Sequence, residues 1–194
     1  MAKEYNLDLI VHINQEAIEA GMGPDKGRLE CCRALKTEGL QQVVTQYEFE
    51  GLILGIRRDE EGSRSKERVF SERNKDSEWD YTHQPPELWD QFKTDFPRGN
   101  HIRVHPLLHW NEIDIWSYIG REKIPQIDLY FAKNGKRYRS LGCAPCTGMI
   151  DSHATTVEEI IEELKNTQIA ERAGRAQDQE DAYAMQKLRK DGYM

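Results

Sequence analysis

The sequence predicts an α/β fold of the Rossmann type, in which helices flank a mainly parallel sheet. Three short apolar runs, at residues 7–13, 51–56 and 102–107, have the length and the β-branched content of buried strands. Between the first two runs, apolar residues repeat at helical spacing: Leu40, Val43, Val44 and Tyr47. Because a strand, a helix and a strand with short joints form a right-handed βαβ unit, the strands are expected to run parallel.

Length and composition are typical of a single-domain globular protein. The chain has 194 residues, of which 38% are hydrophobic and 31% are charged, enough to bury one core. Its net charge of −7 disfavours general nucleic-acid binding. No apolar run is long enough to span a membrane, and the first residues lack the apolar segment of a signal peptide. We therefore expect a cytoplasmic protein, with a domain at residues 1–165 and a helical tail at 166–194 that closes over its site.

Two helices that follow the third predicted strand carry clear N-terminal signals. Asn111 can cap the first of them, and Asp114 stands at the capping-box offset. Thr156 and Glu159 repeat that pattern before a second helix, which is expected at residues 157–164. Residues 72–100 are polar and rich in turn residues, which predicts a long surface excursion.

The four cysteines fall into two tight pairs, Cys31 with Cys32 and Cys143 with Cys146. Two pairs that folding brings together form a cage of four thiolates, which selects Zn²⁺ or an iron–sulfur cluster. Adjacent side chains diverge, so Cys31 and Cys32 suit separate corners of a [4Fe–4S] cluster better than one tetrahedral zinc. Zinc is the alternative, and four buried thiols that only pack are a third interpretation. Disulfides are less favoured, because both neighbouring cysteines would have to reach the second pair.

The loop that follows the second predicted strand is rich in charge. Residues 57–68 include four arginines, one lysine and two serines. Ligands of parallel sheets bind at the carboxyl ends of strands, and guanidinium groups bind phosphate or sulfate through two parallel hydrogen bonds. The acidic residues of the loop, among them Asp59 and Glu60, would hold Mg²⁺ or orient the arginines. The alternative interpretation is a solvated loop without a ligand.

A second basic pattern lies near the end of the sequence, where Arg172 and Arg175 flank Gly174. Two arginines on either side of a glycine can close over an anion. The segment is therefore a candidate cover for the ligand of the charged loop. A solvated helix end is the alternative interpretation.

Taken together, these motifs resemble one known family. Residues 57–68 read RRDEEGSRSKER, which closely resembles the RRDEE-x-SR-x-KER segment of sulfate adenylyltransferase subunits in the phosphoadenosine phosphosulfate (PAPS) reductase family. The resemblance covers nearly the whole chain. Further matching segments lie at residues 106–107, 110–116, 124–125, 129–132, 139–143, 155–161, 171–175 and 190–194.

The resemblance implies an adenine nucleotide α-hydrolase fold and an adenylyl-transfer activity, in which sulfate attacks the α-phosphorus of ATP to give adenylyl sulfate (APS) and pyrophosphate. Mg²⁺ would accompany ATP or APS, and a GTPase-type large subunit would be the partner. The implied catalytic residues are Arg57, Arg58, Asp59 and Glu60. The implied substrate-binding residues are Ser63, Arg64, Lys66, Arg68, Arg172 and Arg175.

The cysteine pattern resembles a sister group of the same family, the APS reductases. That resemblance implies a [4Fe–4S] cluster held by Cys31, Cys32, Cys143 and Cys146. An APS- or PAPS-reductase-like or sulfur-transfer enzyme is therefore the alternative function. No cysteine follows Cys146, so a partner would have to supply the nucleophile of such an enzyme. A non-catalytic nucleotide-binding or regulatory module is the second alternative.

One family motif does not occur in this sequence. The nucleotide loop of the family, Ser-Gly-Gly-x-Asp-Ser, follows its first strand, whereas residues 7–13 resemble its second strand. We therefore expect a chain that is truncated at its N-terminus relative to the family. Three explanations are open: another chain supplies the loop, the reading frame starts late, or the protein no longer turns over ATP.

Overall fold

The computed structural model describes residues 2–176 and 183–193, and it contains the predicted α/β arrangement. Within these residues the main sheet has three short strands, with β3 (His101–Val104) between β1 (Gly51–Ile53) and β2 (Phe70–Arg73). β1 runs parallel to β3, with Leu52 beside Arg103, whereas β2 runs antiparallel to β3. The expectation of a mainly parallel sheet is therefore wrong, because the antiparallel strand β2 makes the sheet mixed.

Residues 7–13 do not form the predicted first strand. Leu7 and Val11 are 62% and 77% exposed, and no described strand pairs with this segment. A strand needs a neighbouring backbone as a hydrogen-bond partner, and β1 pairs only with β3 within the described residues. The segment instead lies near the later helix at Gly39–Gln46, where His12 Nε2 is 2.7 Å from Gln42 Oε1.

The helix predicted from about residue 30 is confirmed. The α-helices in the described residues are α1 (Gln15–Glu19), α2 (Arg28–Cys32), α3 (Gly39–Gln46), α4 (Glu112–Glu122), α5 (Val157–Asn166) and α6 (Ala184–Lys190). α2 continues into α3 through a π-helical segment at Arg33–Glu38, a feature often found at functional sites. No helix in the described part of the chain is long and apolar enough to cross a membrane. Part of the predicted helical tail, residues 177–182, lies outside the described residues.

The N-terminal signals of α4 and α5 are confirmed. At α4 the main-chain N–H of Asn111 donates to Asp114 Oδ2 at 2.8 Å, and both halves of the capping box are present. At α5 the Glu159 N–H donates to Thr156 Oγ1 at 3.2 Å, and the helix runs to Asn166, two residues further than expected. The two helices pack around an apolar cluster whose buried members are Trp116, Ala154 and Ile160.

Ion pairs between buried charged side chains stabilise much of the interior. Glu67 is fully buried, with Oε1 2.9 Å from Arg73 Nη2 and in contact with Arg189 of α6. The Trp79 ring centroid lies 4.9 Å from the guanidinium carbon of Arg73 and 5.5 Å from that of Arg189. A further buried arginine, in β3, donates to the main-chain oxygens that follow α6. These contacts tie α6 to the sheet.

The surface excursion predicted at residues 72–100 begins two residues later, because β2 ends at Arg73. Within it Trp79 is buried, whereas Trp89 is 87% exposed. The excursion is therefore fastened near its start, and its middle lies on the surface.

A two-stranded ribbon frames the second cysteine pair. β4 (Lys136–Arg137) and β5 (Ile150–Asp151) pair antiparallel, and a 3₁₀ turn at Ala144–Cys146 lies between them in the chain. The buried Arg137 donates from Nη2 to Glu163 Oε1 of α5 at 2.6 Å. This ion pair fixes the ribbon to α5.

Candidate functional site

The arginine loop, residues 57–68, follows β1 and contains several buried charges. Arg57 is 7% exposed, and its Nε lies 2.9 Å from Asp59 Oδ1. The same guanidinium contacts the carboxylate of Glu171, far along the chain. Asp59 Oδ2 accepts the main-chain N–H of Glu112 at 2.8 Å, in the first turn of α4. The arginine loop is therefore held against the N-terminal end of α4.

A second ion pair joins α4 to a later part of the chain. Arg139 binds Glu112 in a bidentate manner, with Nε 3.0 Å from Oε1 and Nη2 2.7 Å from Oε2. Arg139 Nη1 also donates to the main-chain oxygen of Ile169 at 2.6 Å. This arginine therefore places the chain that leads into residues 171–175.

Glu60 and Glu61 bind two arginines from different parts of the chain. Arg64 contacts Glu60 within the arginine loop, and Arg172 Nε lies 3.2 Å from Glu61 Oε2. Arg172 Nη1 also lies 3.7 Å from Glu60 Oε1. Arg64 and Arg172 are only 6% and 8% exposed, so neither is a solvated surface charge. Residues 171–175, which we call the 171–175 segment, therefore contact the arginine loop.

Two of the predicted arginines bind main-chain oxygens instead of carboxylates. Arg58 Nη2 donates to the carbonyl oxygen of Glu67 at 2.7 Å. Arg68 Nε donates to the carbonyl oxygen of Pro85 at 3.1 Å. Arg58 therefore braces the arginine loop internally, and Arg68 fastens it to the surface excursion.

Ser63 and Lys66 face another side of the arginine loop. Both line a cavity of about 260 Å³ together with lysines of α6. Lys66 Nζ lies over the ring of Tyr81, 4.5 Å from its centroid. Lys66 is therefore not brought together with Arg57 and Arg172, whereas Ser63 also donates to Glu61, the carboxylate that binds Arg172.

The two cysteine pairs come together in the fold. Cys32 and Cys146 are 1% and 3% exposed, Cys31 and Cys143 are half-buried, and none of the four forms a disulfide. Burial raises the pKa of Cys31, and the neighbouring thiols of Cys32 and Cys143 raise it further. Burial also raises the pKa of Cys146, together with its hydrogen bond to Cys143. Each pair therefore lies within electrostatic reach of the other.

Lys36 brings a positive charge to these thiols. Its Nζ donates to Cys143 Sγ at 3.4 Å. Burial opposes ionisation of Cys143, yet Lys36 and the hydrogen bonds from Lys36 and Cys146 hold the pKa of Cys143 below its usual value. Lys36 is not among the predicted site residues, although it follows Cys32 by about one helical turn, a spacing that places side chains on one face.

The 171–175 segment also reaches the turn that carries Cys143. Thr147 pairs with Arg175 through an isolated β-bridge. A Cβ atom at Gly142 would overlap the guanidinium of Arg175, so this buried arginine lies directly on the turn. One short segment therefore contacts the arginine loop at one end and the cysteine turn at the other.

Glu171 is the first residue of the 171–175 segment but is not among the predicted site residues. Its side chain is 13% exposed and contacts Arg57. Burial raises the pKa of Glu171 to about 7 against the opposing charge of Arg57, and the carboxylates of Glu112, Glu60 and Asp59 add to the rise. Its neighbours come from distant parts of the chain, so a local pattern gives no signal for it.

The carboxylates of the site are engaged by protein groups. In the described ranges, no group of three or more His, Cys, Asp or Glu side chains surrounds a point that could hold a metal ion. Asp59 binds Arg57, and Glu60 binds Arg64 and Arg172. Of the two roles predicted for these acids, the geometry fits the orientation of arginines.

Comparison with known proteins gives relatives along the whole chain. The family profile described as the phosphoadenosine phosphosulfate reductase domain matches residues 1–149. The sulfate adenylyltransferase subunit 2 of Trichlorobacter lovleyi is 42% identical over an alignment 223 positions long, which covers 100% of this chain and 74% of the relative. The subunits of the same name from Psychromonas ingrahamii and Methylococcus capsulatus are 41% and 39% identical, covering 100% and 99% of this chain and 74% of each relative. The similarity therefore includes the arginine loop, the cysteine turn and the 171–175 segment.

Proposed function

Because this chain belongs to the phosphoadenosine phosphosulfate reductase domain family, we propose that it acts in sulfate activation as an adenylyl-transfer subunit. A sulfate oxygen attacks the α-phosphorus of ATP, the bond from that phosphorus to the bridging oxygen breaks, and pyrophosphate leaves. The products are APS and pyrophosphate, and no electrons are transferred. The observation that carries the proposal is the meeting of the arginine loop with the 171–175 segment, which gathers buried guanidinium groups beyond the end of β1.

The residues of the site supply positioning and charge neutralisation, which this reaction needs more than proton transfer. Arg57 and Arg172 present guanidinium groups to phosphate or sulfate oxygens. Asp59 holds Arg57 while an N–H of α4 holds Asp59, so this acid orients the arginine. Glu60 orients Arg64 and Arg172 in the same way. Arg58 braces the loop on which these groups stand.

A partner subunit belongs to the proposal. The relatives are named subunit 2, which implies a second subunit. We propose a GTPase-type large subunit in this role, and a chain that supplies the nucleotide loop is the alternative. Mg²⁺ would arrive with the phosphates of ATP, since arginines engage the carboxylates of the site. Residues 166–194 would close over the bound nucleotide, as the contacts of Arg172 support.

For the cysteines we propose a [4Fe–4S] cluster, with Zn²⁺ as the alternative. The four thiols are free and lie within electrostatic reach of one another, which is the donor set that such a cluster takes. Within the described residues, the four thiols are not grouped around a position that could hold a metal ion, so this observation does not favour the cluster over Zn²⁺. A bound cluster would join α2 to the cysteine turn and so fix the position of Arg175. The proposed ligands are Cys31, Cys32, Cys143 and Cys146.

One observation favours a second candidate function. Arg175 lies on the turn that carries Cys143, so an anion held by this arginine would lie close to the thiols. That arrangement supports an APS-reductase-like or sulfur-transfer enzyme. In this function a thiol of a partner would attack the sulfur of APS, with AMP as the leaving group.

Sulfate-dependent release of pyrophosphate from ATP, with the partner subunit added, tests the proposed function. We expect Arg172→Gln to lower kcat/KM by about 100-fold, because it removes a buried charge from the oxyanion site. The control is Arg121→Gln, an exposed arginine of α4 that pairs with Glu122 at the surface. It should leave the rate within about twofold.

The same assay separates the alternatives. Wild-type protein that releases no pyrophosphate in response to sulfate would contradict adenylyl transfer. Sulfite release from APS in the presence of a thiol would identify the reductase-like function. Tight nucleotide binding without either reaction would identify a non-catalytic nucleotide-binding module.

A further inference from the structure

Four buried arginines of the site are already matched by carboxylates, whereas the buried Arg175 has no ion-pair partner among the described residues. The ion pairs of these four arginines and five carboxylates form three neighbouring groups, and the nine side chains together carry one net negative charge when all are ionised. An incoming sulfate or phosphate oxyanion adds further negative charge to a poorly solvated site, which is unfavourable. The arginines are Arg57, Arg64, Arg139 and Arg172, and the carboxylates are Asp59, Glu60, Glu61, Glu112 and Glu171.

Glu171 is the carboxylate of this set that is least fixed by the protein. Asp59 is anchored by an N–H of α4 as well as by Arg57, and Glu112 is bound in a bidentate manner by Arg139. Glu60 and Glu61 each contact two arginines. Arg57 is the one ion-pair partner of Glu171 among the residues that the structure describes.

The surroundings of Glu171 favour its neutral form near neutral pH. Burial and three neighbouring carboxylates raise its pKa to about 7, while Arg57 opposes the rise. Loss of its charge would free Nη2 of Arg57 for another anion, while Asp59 still holds Nε of the same guanidinium. The titratable and charged groups that face Glu171 from the packed elements are Arg57, Asp59, Glu60, Glu112, Tyr130 and Arg139.

We propose that Glu171 is a positioning residue that occupies on Arg57 the place of the substrate oxyanion, and that oxyanion binding displaces it with uptake of one proton. The proton comes from solvent and adds to the Glu171 carboxylate, and the oxyanion replaces that carboxylate on the Arg57 guanidinium. This inference rests on the proposed function, because it takes Arg57 as a ligand of the sulfate or phosphate oxyanion.

The proposal fixes how affinity depends on pH. Well below pH 7 Glu171 is already protonated, so oxyanion affinity should be nearly constant. Above pH 7 the free protein carries the carboxylate, and each bound oxyanion must be accompanied by a proton. Affinity should then fall by about tenfold for each pH unit.

Isothermal titration calorimetry with inorganic sulfate tests this linkage. Titrations of the full chain at pH 6, 7 and 8, in buffers of different ionisation enthalpy, measure the protons taken up per sulfate. We expect uptake close to one at pH 8 for the wild type. Glu171→Gln should take up none, show no pH dependence over this range and bind sulfate about tenfold tighter than the wild type at pH 8.

A matched control is available in α5, where Glu163 pairs with the buried Arg137 outside the site. Glu163→Gln should leave both sulfate affinity and proton uptake unchanged. Glu171→Asp keeps a titratable carboxylate, so it should keep the proton uptake. If Glu171→Gln does not fold, Glu171→Ala tests the same loss of the carboxylate, and proton uptake that persists in it would overturn the role of Glu171.

The outcomes distinguish this inference from the proposed function. Sulfate binding by the wild type without proton uptake, or uptake that persists in Glu171→Gln, would overturn the role of Glu171 and leave the oxyanion site standing. Failure of sulfate to bind either protein at any of the three pH values would overturn the oxyanion site itself.

Discussion

Replacing Glu67 by alanine is expected to lower the free energy of unfolding by about 3–5 kcal/mol. Glu67 is fully buried, and its carboxylate contacts Arg73 at 2.9 Å, Arg189 of α6 and His105, whose Nδ1 lies 3.7 Å away. The alanine variant leaves two buried guanidinium groups without their carboxylate and also opens a cavity. Urea denaturation followed by circular dichroism measures the loss.

A surface acid gives the matched control for this variant. Glu122 is 46% exposed and pairs with Arg121 at the end of α4, so Glu122→Ala should cost less than about 1 kcal/mol. A loss of the same small size for Glu67→Ala would contradict an interior held by ion pairs.

The same carboxylate makes stability sensitive to acid. Against the effect of burial, Arg73 and Arg189 lower the pKa of Glu67 from 4.5 to about 2. Because the folded-state pKa is depressed, the stabilisation is complete above about pH 5 and is lost as the pH falls towards 2. The stability difference between the wild type and Glu67→Gln should shrink by about 3 kcal/mol over this window.

Replacing Cys146 by alanine is expected to abolish iron binding. Wild-type protein purified without oxygen should contain about four irons per chain, with a broad absorption band at about 400 nm. Cys146 is 3% exposed and hydrogen-bonds with Cys143. In the alanine variant, water could therefore take the place of the missing thiol only if the turn opened. The variant should therefore contain less than about one iron per chain. Iron and sulfide analysis with a visible spectrum measures the effect.

The turn itself offers a control for the loss of iron. Ala144 lies in the same turn between the two cysteines and is exposed, so Ala144→Ser should keep the full iron content. A colourless wild-type protein with one zinc per chain would establish the alternative metal. A wild-type protein that binds neither metal would contradict the cysteine cage.

The sequence predicts the elements that depend on nearby residues, such as helix caps. It does not predict those that depend on pairing with a strand far along the chain. The caps of α4 and α5 depend on residues three positions apart, and the sequence predicts both. Residues 7–13 have the composition of a strand, but a strand also requires a neighbouring backbone. β2 was not predicted because its polar residues are the more buried ones: Ser71 and Arg73 are buried, whereas Phe70 is half-buried.

The candidate site, like the fold, is predicted only where its residues are close together in the sequence. The arginine loop is a continuous run, so its chemistry is visible in the sequence. Its partners lie far along the chain: Glu112, whose main-chain N–H donates to Asp59, is 53 residues away, and Glu171, whose carboxylate contacts Arg57, is 114 residues away. No local pattern encodes such contacts, because they arise from the packing of α4 and the 171–175 segment on the loop.

The proposed site for a sulfonucleotide lies where the arginine loop meets the 171–175 segment. Titration of the folded full chain with APS tests it most directly, because APS is the product of the proposed reaction and the substrate of the reductase-like alternative. We expect saturable binding of one APS per chain that weakens with salt, and about a tenfold to hundredfold loss of affinity in Arg57→Gln. Wild-type protein that does not bind APS, or binding that is unchanged in a folded Arg57→Gln variant, would contradict the site.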